Sequence, residues 1–350
     1  MKDIKIINHT IGYDQRPFII AEMSGNHNQS LDTALRIVEE ASKAGCHALK
    51  IQTYTADTMT LDIKDNDFVI NEKNSLWNGC SLYELYQKAS TPWEWHEQIF
   101  KRCSELGMIG FSTPFDETAV DFLESLNVPL YKVASFENTD LPLIKKIAKT
   151  GKPMIISTGM ATLSEIDESV QTARQSGCKD LILLKCTSTY PSLPADANLF
   201  TIPNMIDNFR TIIGLSDHSM GIGTAIASVA LGARVIEKHF TIHRNDGGVD
   251  ADFSMEPEEM KSLVEECLRA FQSLGKIQYG LTQTEKYNKH FRRSLYAVKD
   301  IEAGEKFSND NVRRIRPSCG LAPKYYEFIL GKTAKNKIIS GRPILWDDLI

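Results

Sequence analysis

Short apolar runs alternate along this chain with longer stretches in which apolar residues recur every three or four positions. The runs fall at 17–22 (PFIIAE), 47–52 (HALKIQ), 108–112 (MIGFS), 129–134 (PLYKVA), 153–157 (PMIIS), 181–185 (LILLK), 212–216 (IIGLS) and 235–240 (VIEKHF), and they predict eight strands. The stretches at 31–44, 93–106, 117–126, 141–150, 164–176, 222–231 and 256–274 predict helices, with a weaker one at 198–209. In the first of these, Leu31, Ala34, Leu35 and Val38 share one face at the 3.6-residue period. Eight such βα units over roughly 250 residues predict a TIM (β/α)8 barrel. The rival is an open doubly wound sheet, which usually carries a G-x-G-x-x-G turn; none occurs here.

Two stretches break the repeat. Residues 4–15 read as a short hairpin closing the bottom of the barrel. Residues 55–90 are too long for an ordinary connection and, with Trp77, Leu82, Tyr83 and Tyr86, read as a partly ordered lid. Beyond residue 272 the pattern changes. The chain divides into a barrel at 1–275, a linker at 276–290 and a small domain at 291–350. In the last, residues 299–307 (KDIEAGEKF) match 336–344 (NKIISGRPI), so that Ile301 answers to Ile338 and Gly304 to Gly341. Such an internal repeat predicts a small, mostly β domain with pseudo-symmetry. A domain of that size is marginal alone and is expected to lean on the barrel or on another chain.

Composition narrows the function. A net charge of -5 gives no electrostatic case for nucleic acid or an anionic membrane as partner. Nothing approaches the roughly 20 apolar residues of a membrane span. The N-terminal MKDIKIINHTIG lacks the apolar stretch of a signal peptide. Seven cysteines, an odd number, show no metal spacing, which points to a reducing compartment; the expected location is the cytoplasm.

The chemistry should sit where barrel strands end. Each predicted strand ends in, or is followed by, a reactive or polar residue. In order these are Glu22, Lys50 with Gln52, Ser112 with Thr113, Lys132 with Ser135, Ser157, Lys185 with Thr187, Ser216 with His218, and Glu237 with His239. Any one of them is equally well a satisfied polar residue at a strand end; all eight strands together argue for a site. Lys50, Lys132, Thr113, Ser135, Ser157 and Ser216 supply cationic and hydroxyl donors suited to an anion such as phosphate. His218 and His239, on neighbouring strands, either share a divalent cation or are hydrogen-bonded histidines. Glu22 either activates water or pairs with a lysine. Asp250 either binds a sugar hydroxyl or is a turn residue.

Beyond these readings, the chain resembles the sialic acid synthase family along nearly its whole length, and within it the branch that makes pseudaminic acid. The resemblance rests on IIAEMSGNHNQ (19–29), LKIQTYTADTMTL (49–61), FSTPFDETAVDFL (111–123), YKVASFENTDLPLI (131–144), ISTGMAT (156–162), KCTSTYP (185–191), GLSDHSMGIG (214–223), IEKHFT (236–241) and RIRPSCGL (314–321). It implies a TIM barrel joined to an antifreeze-like (SAF) domain, in a homodimer whose small domains cap the partner's barrel. It implies a divalent cation on His218 and His239, Mn2+ first, with Mg2+ or Co2+ as alternatives. Phosphoenolpyruvate is then expected against Lys50, Thr113, Lys132, Ser135, Ser157 and Ser216. Glu22 is expected near the attacking water and the sugar, with Gln52, Tyr190 and Asp250 at sugar-contacting positions and Arg316 reaching in from the partner. Glu22, Lys50 and Lys132 are the expected catalytic groups.

The motif AEMSGNH differs from the AEIGxNH of N-acetylneuraminate enzymes, and SFENTD from their SGExxN. Both differences fit a trideoxy diacetamido sugar of the altrose series; an N-acetylneuraminate or legionaminate synthase is the alternative. Outside this family, a class I aldolase would use Lys132 or Lys185 as a Schiff-base nucleophile. A barrel synthase acting on a phosphorylated sugar would leave the C-terminal repeat unexplained. A non-catalytic sugar- or ice-binding protein would leave the strand-end residues without a purpose.

Overall fold

Eight parallel strands close into a barrel in the computed structural model, which describes residues 1–71 and 76–350. A hairpin of β1 (Ile4–Ile6) and β2 (His9–Ile11) comes first. The barrel strands are β3 (Phe18–Glu22), β4 (Ala48–Thr53), β5 (Ile109–Pro114), β6 (Tyr131–Val133), β7 (Met154–Ser157), β8 (Leu181–Cys186), β9 (Ile212–Ser216) and β10 (Val235–His239). They pair in sequence order, and β10 closes on β3 through five parallel pairs from Val235 with Phe18 to His239 with Glu22. Each run predicted from the sequence lies within a residue or two of an observed strand.

The helices start where short polar side chains cap them. Ser30 accepts from the Thr33 amide, Asp116 from Thr118 and Ala119, and Asp140 from Leu143. Thr162 and Glu165 form a reciprocal capping box. Each pattern satisfies amides that a helix N-terminus leaves unpaired. The first helix, Leu31–Lys43, buries Ala34, Ile37, Val38 and Ala41, while Leu31 and Leu35 are only partly covered. The buried face is therefore turned slightly from the one the sequence suggests. These helix faces and the outward residues of the strands make one continuous core outside the barrel wall.

A second core fills the lower barrel. Phe18, Ile20, Ala48, Ile109, Phe111, Leu130, Ile155, Ile182, Leu184, Ile212 and Val235 point inward and meet Ile4, Ile6 and Ile11 of the hairpin, which plugs the bottom as expected. The barrel is thus a packed object, with room for chemistry only above this layer.

The chain forms two compact units, Met1–Gly275 and Lys276–Ile350. The second holds an antiparallel pair, β11 (Ser294–Ala297) and β12 (Val312–Ile315), and its own core around Leu295, Ile301, Phe307, Ile329 and Ile338. The repeat read from the sequence is visible in its bonding. Ile301 and Ile338 exchange backbone hydrogen bonds at 2.8 Å each way. Gly304 donates to the Ala334 carbonyl and Gly341 to the Ala297 carbonyl, also at 2.8 Å. Both glycines sit at φ 86°, a left-handed turn that glycine adopts without penalty. Most of the pairing is by isolated bridges rather than long strands. Among the described residues no helix is long and apolar enough to cross a membrane.

Candidate active site

A strand's side chains alternate between faces, so the parity that packs the lower barrel continues upward into its mouth. From Phe18 and Ile20 it leads to Glu22; from Ala48 to Lys50 and Gln52; from Ile109 and Phe111 to Thr113; from Leu130 to Lys132; from Ile155 to Ser157. From Ile182 and Leu184 it leads to Cys186, from Ile212 to Ser216, and from Val235 to Glu237 and His239. Five of these strands contribute an ionisable side chain, directly above an apolar floor.

Two lysines and two carboxylates form its centre, all of them buried. Lys50 Nζ lies 2.8 Å from Glu22 Oε2 and donates to Thr113 Oγ1 at 3.2 Å. Glu237 stands between the lysines, 3.8 Å from Lys50 and 3.7 Å from Lys132, and accepts from Ser216 Oγ at 3.0 Å. Burying four charges is tolerable because they cancel in pairs. Their environments push the two acids apart. Burial raises the Glu22 carboxyl, and Glu237 adds to that against the pull of Lys50. Glu237 is held below the ordinary range because its two lysines outweigh burial. Burial lowers the Lys132 ammonium. Ser157 Oγ is buried with no hydrogen-bond partner among the described residues, and Ser135 Oγ faces Cys186 Sγ at 3.2 Å.

The two histidines meet on the other side of the mouth, with ring centroids 5.3 Å apart. His218 Nδ1 lies 2.9 Å from the Thr187 carbonyl, a bond that puts the proton on Nδ1 and leaves Nε2 as a donor to an electrophile. His239 Nδ1 is buried with no hydrogen-bond partner among the described residues. Burial, then His218 and the lysines, keeps this imidazole neutral. His218 is drawn the other way, since contact with Cys186 and Thr187 outweighs its burial. An orphaned, neutral nitrogen beside an imidazole with a fixed tautomer fits a divalent cation. Among the described residues, however, no group of three or more His, Cys, Asp or Glu is arranged as a metal site. The histidines are a two-ligand platform at most.

Next to them lie the residues expected to face the sugar. Gln52 donates to Glu22 Oε1 at 2.9 Å and to Ser24 Oγ at 3.0 Å; Ser24 in turn donates to Asp250. Asp250 Oδ2 is 3.8 Å from His239 Nδ1. Tyr190 packs its ring 4.4 Å from that of His218 and 5.3 Å from Phe253. Gln52, Tyr190 and Asp250 therefore share one side of the mouth with Glu22.

Two strand-end residues face elsewhere. Ser112 has the outward parity and bonds the Ile51 carbonyl and Thr53 behind the sheet. Lys185 also has the outward parity and donates to Thr187 Oγ1, which removes it as a Schiff-base nucleophile in the mouth. Arg316 lies exposed in the small unit, just past β12. His27, His47 and His96 are buried, and Thr91, the Ile19 amide and Thr53 respectively bond them. Conversely, Glu237, Cys186 and Ser24 carry more of the site than the sequence assigned them. Alternation alone would have found the first two, because each is two residues beyond a buried inward residue.

The NeuB family model matches residues 37–279, and the SAF domain model matches residues 292–350. Pseudaminic acid synthase of Campylobacter jejuni serotype O:2 is 45% identical over 328 residues, 94% of this chain and 95% of that protein. The N,N'-diacetyllegionaminic acid synthase of the same organism is 36% identical over 323 residues, 91% and 96% of the two chains. Among solved structures, an N-acetylneuraminic acid (sialic acid) synthetase from Leptospira borgpetersenii, crystallised with citrate, superposes with a TM-score of 0.74 at 31% identity, covering 82% of this chain and 95% of its own. A polar barrel mouth of this composition, followed by a SAF domain and matched over most of its length, places the chain in the NeuB family of sialic acid synthases.

Proposed function

We propose that this chain condenses phosphoenolpyruvate with 2,4-diacetamido-2,4,6-trideoxy-L-altropyranose and water, giving pseudaminic acid and phosphate. The observation that carries the reading is the convergence of buried Lys50 and Lys132 with the unpartnered hydroxyl of Ser157 at one mouth. Such a donor set suits a small, highly charged anion and not a nucleotide. The greater identity to a pseudaminic acid synthase than to a legionaminic acid synthase supports the choice of sugar. Of the two motif differences in AEMSGNH, Met23 packs in the core outside the barrel and Ser24 bonds Gln52 and Asp250, so Ser24 is the one that reads the substrate.

In this mechanism C3 of phosphoenolpyruvate forms a bond to the aldehyde carbon of the open-chain sugar. Water adds to C2, and the tetrahedral intermediate expels phosphate with cleavage of the C–O bond. Lys50 and Lys132, with Thr113, Ser135, Ser157 and Ser216, hold the phosphate and carboxylate. Their charge is placed before the reaction begins, which is where most electrostatic catalysis comes from. Glu22, fixed by Lys50 and Gln52, orients the water and takes its proton; a carboxylate raised by burial is the better base. Gln52, Tyr190 and Asp250 orient the sugar. His218 and His239 would hold a divalent cation, Mn2+ first among the choices, which when bound would supply Lewis-acid polarisation at the aldehyde oxygen. In this reading the chain works as a homodimer, and Arg316 of each small domain serves the partner's mouth.

The test is incubation with phosphoenolpyruvate, Mn2+ and a panel of acetamido sugars, following phosphate release and product mass. The diacetamido altrose sugar should give a nine-carbon product by mass. Turnover of N-acetylmannosamine or the legionaminate precursor alone would overturn the sugar assignment, and no phosphate release with any sugar would overturn the synthase.

A further inference from the structure

The excursion between β4 and the helix His96–Glu105 contains, in its described parts, the helices Ala56–Met59 and Leu82–Ala89. Part of the lid expected here, residues 72–75, lies outside the described residues. Two separate sets of contacts tie the rest to the mouth. At its end, Gln29 donates to the carbonyls of Lys88 and Ser90 at 2.8 and 2.7 Å, and Thr91 meets His27 Nε2 at 3.2 Å. Gly25 marks how closely the loops approach. A Cβ there would lie 3.1 Å from the Ala89 α-carbon and 3.2 Å from Val249 Cβ, so a larger residue would make both neighbours give by a few tenths of an ångström.

The second set is made by Trp77. Its indole N–H donates to the Val249 carbonyl at 3.1 Å, and its ring lies 6.2 Å from that of Tyr190. Val249 precedes Asp250, so the indole bond fixes the peptide from which that carboxylate projects. Tyr190 stands between Trp77 and the His218 ring. One side chain of the excursion therefore braces both an aromatic wall and a carboxylate at the mouth.

We infer that Trp77 is a positioning residue for the sugar: it orients Tyr190 and Asp250 toward an open-chain acetamido hexose, and so helps to wall the sugar half of the site. The inference rests on the synthase reading above. The physical reason is that a tyrosine ring and a carboxylate on loops hold a flexible substrate only if their own positions are fixed. The indole supplies a hydrogen bond to one loop and an aromatic edge to the other. Of the phosphoenolpyruvate groups, Lys50, Thr113, Lys132 and Ser157 stand on β4 to β7 and Ser216 ends β9, whereas these two Trp77 contacts reach the loops after β8 and β10.

The measurement is steady-state kinetics of the full chain, with sugar and phosphoenolpyruvate varied separately, on whichever acetamido sugar the wild type turns over. A wrong choice of sugar in the reading above then leaves the comparison intact. Trp77→Ala should raise the KM for the sugar about 30-fold, from loss of an aromatic pair and a hydrogen bond, with the KM for phosphoenolpyruvate within about twofold. Trp77→Phe keeps a ring and loses the N–H, and should raise it about fivefold. It also carries the test if the alanine variant does not fold. Equal shifts in both KM values, an unchanged sugar KM, or no rescue by phenylalanine would overturn the inference.

Discussion

The lower and upper halves of the barrel interior come from the same strands at the same parity, and they are built for opposite ends. Below, Phe111, Ile155, Ile182 and their neighbours are sealed by Ile4, Ile6 and Ile11 of the hairpin. Burial of each such side chain stabilises the fold by about 1.5–3 kcal/mol. Above, Lys50, Lys132, Glu22 and Glu237 are equally buried, but their desolvation costs several kcal/mol per ion and their pairing only offsets it. The floor holds the barrel together. The mouth draws on that stability to keep charges in place for a substrate. Mutations in the two halves should therefore fail in different assays.

The largest effect is expected at the histidines. His218→Ala or His239→Ala should remove metal-dependent turnover, a loss of about a thousandfold or more, while leaving the barrel folded. Undiminished phosphate release in the presence of a chelator would defeat the metal role. Next comes Glu22→Gln, which should lower turnover by about two orders of magnitude or more. Retention of the full rate would remove Glu22 from the chemistry. Below it lies the opposite case. Ile182→Ala should cost about 2–5 kcal/mol in denaturant unfolding, with turnover of the folded fraction near wild type. If that floor variant lost activity in proportion to a mouth variant, the division between the halves would be wrong.

The smallest effect concerns Glu137, beside Ser135. Its carboxyl is pushed up to about 7 by burial, against the pull of Lys132, and its Oε2 has no hydrogen-bond partner among the described residues. A carboxyl whose folded pKa lies above its unfolded one favours folding most when protonated. That contribution is full below the usual carboxylate range and is lost as pH rises through about 7. Glu137→Gln should flatten the decline of stability with pH in this window, as read by chemical unfolding at stepped pH. An unchanged slope would assign the decline to another group.

Much of this architecture was legible in the primary structure. The eight strands stand out because each is a short apolar run between turn signals, and the hairpin plug because Ile4, Ile6 and Ile11 fall in an isolated segment before the first of them. The facing of individual residues was less legible. Ser112 and Thr113 are adjacent, as are Lys185 and Cys186, and a strand-end criterion does not choose between them; counting by twos from the inward Phe111 and Leu184 does. Glu237 was visible at the end of β10, but its position between two lysines depends on three strands whose register no single segment encodes. Contacts such as Trp77 with Val249 join loops 172 residues apart, and nothing local in either segment announces them.

The grip of the upper ring on phosphoenolpyruvate is tested most directly by calorimetric titration of that compound into three forms of the chain. The wild type and Ile182→Ala should bind with similar affinity, whereas Lys132→Met should bind about 10- to 100-fold more weakly, the size of a lost charge-assisted hydrogen bond. Equal affinity in Lys132→Met and the wild type, with the variant folded, would contradict it.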